Sequence, residues 1–462
     1  MQYINLFLPF IFILGSAVVI HEFGHFIVAK MLGIRVETFS VGFGKRLFGR
    51  RWGTTDYRLS LIPLGGYVKL GGDESNSGLE EGSGEEIPQH ERFDLRPRWQ
   101  KILVGVAGPV MNVLTAIAIP AILAMSIGIP TTPATVIKVV GKGSAGEAAG
   151  IRPGDRIVSF NGRENDEWEK IRNDALISPE QPLPLVIERD GQRIPLTITP
   201  TKDVSDGEPV GLLGLLPDYG DTPVLISSVL ENSPAAESGL KAGDQILSLD
   251  GEAIHSGEQV VKYIQDHPSG VVTFALIRNG QPIEIKAGER RMAENRLGFK
   301  AGESFPIERV GLASATSYAV GRNIEMMRLT GSALKQVFSG RRSVRDTFAG
   351  PIGIAQASSR AATEGGWEGV FGMLGFLSLN LGVFNLLPIP MLDGGMIFIL
   401  ILEGILAVIG LKLSMVVRER IQQVGFVFLL LLMGFVIIND FSKLVSNRIR
   451  PSDNQPAATQ SK

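Results

Sequence analysis

Four stretches of the chain are apolar and free of Asp, Glu, Lys and Arg: residues 5–20 (NLFLPFIFILGSAVVI), 102–128 (ILVGVAGPVMNVLTAIAIPAILAMSIG), 370–392 and 421–439. A helix needs about 20 such residues to cross a bilayer. The pattern therefore predicts four membrane spans, with boundaries at 1–30, 101–128, 367–410 and 421–442, the third taking in a further apolar piece at 396–402. The first run has no basic region before it and no small-residue cleavage site, so it reads as a retained helix rather than a signal peptide. Basic residues gather in two of the intervening loops. Lys30, Arg35, Lys45, Arg46, Arg50, Arg51, Arg58, Arg96, Arg98 and Lys101 follow the first span, and Lys412, Arg418 and Arg420 precede the fourth. The positive-inside rule places those loops in the cytoplasm, with both termini and the long segment 129–365 outside.

The polar parts have patterns of their own. Within the loop 31–100, residues 56–70 (DYRLSLIPLGGYVKL) alternate and are rich in strand formers around Pro63–Gly66, which predicts a β-hairpin. Such an element beside a protease site can hold an extended substrate by backbone pairing, or it can be an ordinary surface hairpin; the pattern alone leaves both open. Residues 71–91 are acidic and Gly/Ser-rich and read as a linker, with His90 solvated. Outside, residues 144–162 (SAGEAAGIRPGDRIVSFNG) align without gaps on 233–251 (SPAAESGLKAGDQILSLDG), and the same offset carries Arg189-Asp190-Gly191 onto Arg278-Asn279-Gly280. Two copies of one small α/β domain follow, at 129–218 and 219–302. The shared pattern resembles the PDZ domain. Leu213-Gly214-Leu215 and Leu297-Gly298-Phe299 resemble its carboxylate-binding loop, late in each unit as in a circular permutation. The resemblance implies peptide binding by β-addition. Purely steric modules remain the alternative. The expected fold class is thus a multi-pass α-helical membrane protein with four transmembrane helices, a membrane-associated β-hairpin and two inserted PDZ-like α/β domains, followed by an approach segment at 303–366 and a tail at 443–462.

Composition adds exclusions. A formal net charge of −2 gives no reason to expect a nucleic-acid partner, and the absence of Cys rules out disulfides, thiolate ligands and cysteine nucleophiles. Of five histidines, two fall together in His21-Glu22-Phe23-Gly24-His25, an HExxH motif at the end of the first apolar run. On a helix, residues four apart lie about 40° apart around the axis, so both imidazoles can reach one metal ion. Glu22 is then placed to take a proton from a water activated there, the arrangement of zinc hydrolases. Ionisable groups are costly inside an apolar run, which favours a functional reading over chance. A zinc site needs a third ligand. Val28 and Met31 stand where the metzincin extension requires Gly and His, so the ligand comes from elsewhere. The run 370–402 contains one acidic residue, Asp393, in NLLPIPMLDGG; Pro388 and Pro390 break the helix there, and Gly394-Gly395 allow close backbone approach. Asp393 is the third ligand that the residues themselves indicate.

HEFGH in the first span, Gly108-Pro109-Val110-Met111-Asn112 in the second, NLLPIPMLDGG in the third and the tandem repeat between them together resemble the site-2 protease family over nearly the whole chain. The resemblance implies Zn2+-dependent cleavage within transmembrane segments of single-span proteins, anti-sigma factors among them, in a bacterial inner membrane. His21, His25 and Asp393 would be the ligands and Glu22 the catalytic acid/base. Asn385, Pro388 and Pro390 match the segment that positions substrate. Tyr57, Leu59, Leu61, Gly65 and Gly66 fall in the family's membrane-associated β element, and Gly42 and Gly44 in its GxG segment. Phe348–Gly353 matches the start of an amphipathic approach helix, and the PDZ pair would filter substrates by size. A membrane-anchored PDZ scaffold without catalysis, or a soluble zincin on an anchor, are the competing classes.

Overall fold

The computed structural model describes residues 2–72, 87–131, 133–164, 167–203, 209–220, 222–230, 232–289, 292, 296–341, 343–347, 349–411 and 414–449. Most of the linker expected at 71–91, the residue Phe348 and the end of the tail lie outside these. The chain forms two compact units, one drawn from Met1–Ser126, Val310–Arg328 and Leu334–Lys462, the other from Ile127–Arg309 and Leu329–Ala333.

The first unit contains α1 (Gln2–Met31), β1 (Val36–Trp52), β2 (Thr55–Leu70), α2 (Arg98–Ser126), α3 (Leu312–Phe338), α4 (Pro351–Asn385), α5 (Asp393–Val408) and α6 (Met415–Ile449). Four of its helices, at Phe7–Met31, Arg98–Ser126, Pro351–Asn385 and Val416–Ser442, are long and apolar enough to cross a membrane. α1, α2 and α4 pack against one another, with Ile13 and Ala17 buried against Val370 and Leu374. Small residues set the spacing: a Cβ on Gly24 would overlap the backbone of Ala107 and Gly108, so α1 and α2 approach closely only with glycine there. Two polar side chains tie in the flanking helices. Asn323 of α3 donates to the Ala116 carbonyl at 2.8 Å. Asp440 of α6, buried, accepts from the N–H groups of Gly350, Ile352 and Gly353 at 2.9, 2.9 and 3.2 Å and so caps the start of α4.

The third apolar region, 367–410, carries the break expected at Pro388 and Pro390. α4 begins earlier, at Pro351, is kinked at Gly366 (φ 53°), and stops at Asn385; α5 starts afresh at Asp393. Pro388 and Pro390 lack N–H groups, and each disfavours helix in the residue before it, so the apolar sequence cannot continue as one rod.

The β element also differs from a hairpin turning at Pro63–Gly66. Its two long strands curl so that four segments lie side by side. Residues 36–41 pair on one side with 66–70 (Val36 with Leu70, Val41 with Gly66) and on the other with 56–59 (Thr38 with Asp56, Val41 with Leu59). Residues 56–59 in turn pair with 48–51 (Phe48 with Leu59, Arg51 with Asp56). The alternation in 56–70 is genuine strand pattern, but its two arms bond to residues 36–41 between them and not to each other. Gly42 and Gly44 take φ of 92° and 84° where β1 reverses, and Gly65 takes 143° where β2 does.

The second unit carries the repeat. In the second copy the strands run in the order Gln281–Ala287, Val272–Arg278, Gln245–Leu249, Val224–Val229, Phe299–Glu303. The first copy repeats it with Gln192–Ile198, Leu183–Arg189, Arg156–Phe160, Ile137–Val140 and Leu215–Pro217, the third and fourth joined by a bridge between Arg156 and Val136. Each copy has its own apolar core, centred on Phe160 and on Phe274. The repeated GD and R-x-G motifs meet in space: Arg189 bonds buried Asp155 at 2.7 Å and Arg278 bonds buried Asp244 at 2.6 Å, while the same arginines reach the carbonyls of Gly150 and Gly239 at 2.8 Å. Burial alone would raise the Asp244 carboxyl, but the Arg278 guanidinium and the Lys241 N–H outweigh it and hold the group below its ordinary 3.8. A depressed carboxyl stabilises the fold fully above the ordinary value, and that contribution is lost as pH falls through the folded-state value. Asp244→Ala, which strands a charged arginine, is expected to lower the stability of residues 224–303 by about 2–3 kcal/mol at neutral pH. Amide hydrogen exchange on the full chain checks this; unchanged protection there would show that the pair contributes nothing.

Candidate metal centre

α1 places His21 and His25 one turn apart on the side facing α2, and α5 begins with Asp393, whose carboxylate gains from the unpaired N–H groups at a helix start. His21 Nε2 lies 2.9 Å from Asp393 Oδ2, His25 Nε2 lies 3.5 Å from the same oxygen, and the two imidazole nitrogens are 3.2 Å apart. Ligand atoms about 2.0–2.1 Å from a tetrahedral zinc are spaced about 3.4 Å from one another. The triangle observed has that size, and it leaves a fourth position open, so the residues fit the ion.

The imidazoles are oriented from behind. The His25 Nδ1–H points at the Val104 carbonyl, 2.7 Å away, which leaves Nε2 free to ligate. His21 Nδ1 lies 3.2 Å from the amide nitrogen of Asn112, a fully buried side chain on α2. Between them α2 carries Gly108, where a Cβ would overlap both imidazoles. The loop 386–392 is pinned in the same way: Cβ atoms on Gly394 and Gly395 would meet the carbonyls of Leu386, Leu387 and Ile389. Met391, two residues before the ligand, sits at φ 80°, an uncommon conformation for a long side chain.

Glu22 faces the β element. Its Oε2 accepts the Val68 N–H at 3.1 Å. Residues 66–70 pair with 36–41 along one side only, so the Val68 N–H lies on their open edge, and Glu22 sits between that edge and the ligand triangle.

The structure brings together His21, Glu22, His25, Asp393 and Asn385, whose Nδ2 is 3.3 Å from His21 Nε2. Gly66 belongs to the open edge. Tyr57 and Leu59 do not: their segment is paired on both sides, and the Tyr57 ring packs on Phe26 and Phe39. Leu61 is exposed, and Gly65 packs its turn against Val18 and Phe43. Pro388 lies in the α4–α5 loop, and Pro390 there abuts Gly425 of α6. In the second unit Leu213 and Leu297 are buried, and their carbonyls accept the N–H groups of Gly146 and Ala235; Gly214 and Gly298, at φ 65° and 84°, pack on Ser144 and Ser233. Leu215 and Phe299 open the strands that follow these loops. Sequence reasoning gave no role to Gly108, Asn112, Ser378 or Val68. A polar Asn112 inside an apolar run was a readable signal; the Val104 carbonyl and the Val68 N–H, being main chain, leave none.

Comparison with known proteins agrees with this geometry. The profile of Peptidase family M50 matches residues 9–432. The chain belongs to that family. Among relatives, the Regulator of sigma-E protease RseP of Escherichia coli K12 is 31% identical over 466 residues, covering 94% of this chain and 98% of that protein. Protease RseP of Yersinia pestis is 32% identical over 462 residues, with the same shares. This M50 peptidase is a zinc metalloprotease of the membrane. Gly108→Ala is expected to reduce zinc retained by the purified full chain at least about tenfold by crowding both imidazoles. Metal analysis after dialysis reads this out; a full zinc complement in the variant would show that the cradle has room to spare.

Proposed function

We propose that this M50 peptidase hydrolyses peptide bonds inside the transmembrane segments of single-span membrane proteins, with His21, His25 and Asp393 as zinc ligands and Glu22 as the acid/base. The observation that carries the reading is the position of Glu22 between the ligand triangle and the outer edge of residues 66–70. The Lys30 ammonium reaches the Thr54 hydroxyl at 3.4 Å, while the Pro63 carbonyl packs against Gly15. The β element thus runs beside α1 over fifteen residues, about 22 Å. Leu47, Phe48, Trp52, Leu61 and Ile62 are exposed on it, as a lipid-facing surface requires.

A transmembrane helix satisfies its own backbone hydrogen bonds and hides its carbonyls, so a substrate must unwind before attack. The outer edge of residues 66–70 can replace the lost bonds by strand addition, with Gly66 as a pairing position beside the Val68 N–H that Glu22 holds and Asn385 steadying the carbonyl side. Zinc, when bound, supplies Lewis acidity and lowers the pKa of a water towards neutrality. Glu22 takes the proton from that water and returns it to the leaving amine. Gly42 and Gly44, with Gly65, let the strands reverse beside the site, and Pro388 and Pro390 hold the loop that presents Asp393.

The charge of the short loops supports placement in an inner membrane with the termini and the repeat outside and the site nearer the cytoplasmic face. The names of the sigma-E protease relatives support regulated proteolysis of anti-sigma-factor-like substrates. The two outer modules read as PDZ-like domains that filter substrates by size. In the second, the first helical residue Gly257 abuts the backbone of Ala301 and Gly302 and donates to the Glu303 carboxylate at 2.8 Å, which leaves no room there for a peptide between helix and edge strand and favours the steric role. A scaffold without catalysis has no use for the ligand triangle.

The test is cleavage of a single-span substrate by the full chain in bilayers. Glu22→Gln is expected to lower the rate at least about 10³-fold with zinc retained, and removing the substrate's outer domain is expected to raise the wild-type rate. Retained cleavage in the variant would sink the catalytic assignment, and equal rates with and without the outer domain would remove the filter.

A further inference from the structure

Resting on the zinc site proposed above, one buried network behind it has no part in that reading. Asn112 of α2 and Ser378 of α4 are both fully buried. The Asn112 amide nitrogen is 3.2 Å from His21 Nδ1, and the Ser378 hydroxyl is 3.2 Å from Asn112 Oδ1 and 3.1 Å from the Asn112 main-chain carbonyl. Three polar groups from three helices therefore meet with nowhere else to turn, and each needs a partner of the right polarity.

An imidazole that gives Nε2 to zinc carries its proton on Nδ1, and that proton requires an acceptor. The amide nitrogen cannot accept. The two ends of a carboxamide exchange places by rotation about the last side-chain bond, however, and the alternative orientation satisfies every group at once. His21 Nδ1–H then donates to Asn112 Oδ1, Asn112 Nδ2–H donates to the Ser378 oxygen, and the Ser378 hydroxyl proton goes to the Asn112 main-chain carbonyl at its observed 3.1 Å. In the other orientation Asn112 donates to Nδ1, which moves the imidazole proton to Nε2 and removes His21 as a ligand.

We propose that Asn112 is the positioning residue of His21, holding it in the metal-binding tautomer through a carboxamide that Ser378 orients. His25 needs no equivalent side chain, because the Val104 carbonyl is an acceptor in any orientation. The carboxamide is neutral in both orientations, so an apolar membrane interior bears no extra charge behind the ligand. A carboxylate at this place would still accept from His21 Nδ1–H, with the Ser378 hydroxyl turned to donate to it, and would raise ligand basicity.

The test uses the purified full chain in lipid nanodiscs and measures zinc affinity by chelator competition, with the imidazole 15N shifts of the wild type as a second readout; five histidines make these resolvable. Asn112→Leu, close in volume but without an acceptor, is expected to weaken zinc binding 10–100-fold, Asn112→Asp to stay within about threefold of wild type, and Ser378→Ala to fall between. His21 in the zinc-loaded wild type is expected to show a protonated, hydrogen-bonded Nδ1. Wild-type affinity in Asn112→Leu, or equal loss in the Leu and Asp variants, overturns the proposal in favour of simple packing; should Asn112→Leu not fold, unchanged affinity in Ser378→Ala overturns it instead. A wild-type chain that binds no zinc would instead overturn the metal-site reading itself, which keeps the two failures apart.

Discussion

The close contact between α1 and α2 at Gly24 and Gly108 is the interaction on which the rest of the site depends. With any side chain at either position the helices would stand further apart, and both the Val104 carbonyl and the Asn112 amide would lose reach of the imidazoles. The imidazoles would then be polar groups in an apolar phase with no defined tautomer. Glycine inside a helix costs about 1 kcal/mol relative to alanine. In a membrane, where apolar side chains gain little by leaving lipid for protein, the close approach these glycines permit, with the hydrogen bonds it allows, is what holds helices together.

A second constraint is imposed from the far end of the chain. Asp393 reaches the histidines because the apolar run after α4 is broken, and it is broken by two prolines whose neighbours cannot be helical. The same break frees backbone groups from a helix, and the backbone of Leu386, Leu387, Ile389 and Pro390 packs on Gly394, Gly395 and Gly425. In the β element the two inner segments, 36–41 and 56–59, are paired on both sides, and of the two outer segments, 48–51 and 66–70, the one at 66–70 lies next to Glu22. A strand edge beside Glu22 is a natural place for an unwound substrate.

Much of this is legible in the sequence, and the boundary is physical. The apolar runs, the HExxH spacing and the lone acidic residue of the 370–402 run are local patterns, and each is reproduced in the fold. The repeat at 144–162 and 233–251 returns as two modules of one strand order with matching Arg–Asp pairs. What the sequence misplaces is pairing between distant segments. Alternation in 56–70 shows that two strands exist there but not that residues 36–41 lie between them, because a period of two is blind to the partner. Likewise Asn112 reads as one polar residue in a span until α2 is set against α1.

The central claim is that zinc is held by two imidazoles from the first span and one carboxylate from the start of α5. Zinc K-edge X-ray absorption on the full chain in a bilayer, wild type against Asp393→Ala, tests it most directly. The account predicts two imidazole ligands with two oxygen donors in the wild type, and loss of zinc or of one protein oxygen in the variant. A wild-type spectrum without two imidazoles, or one unchanged by the substitution, would contradict it.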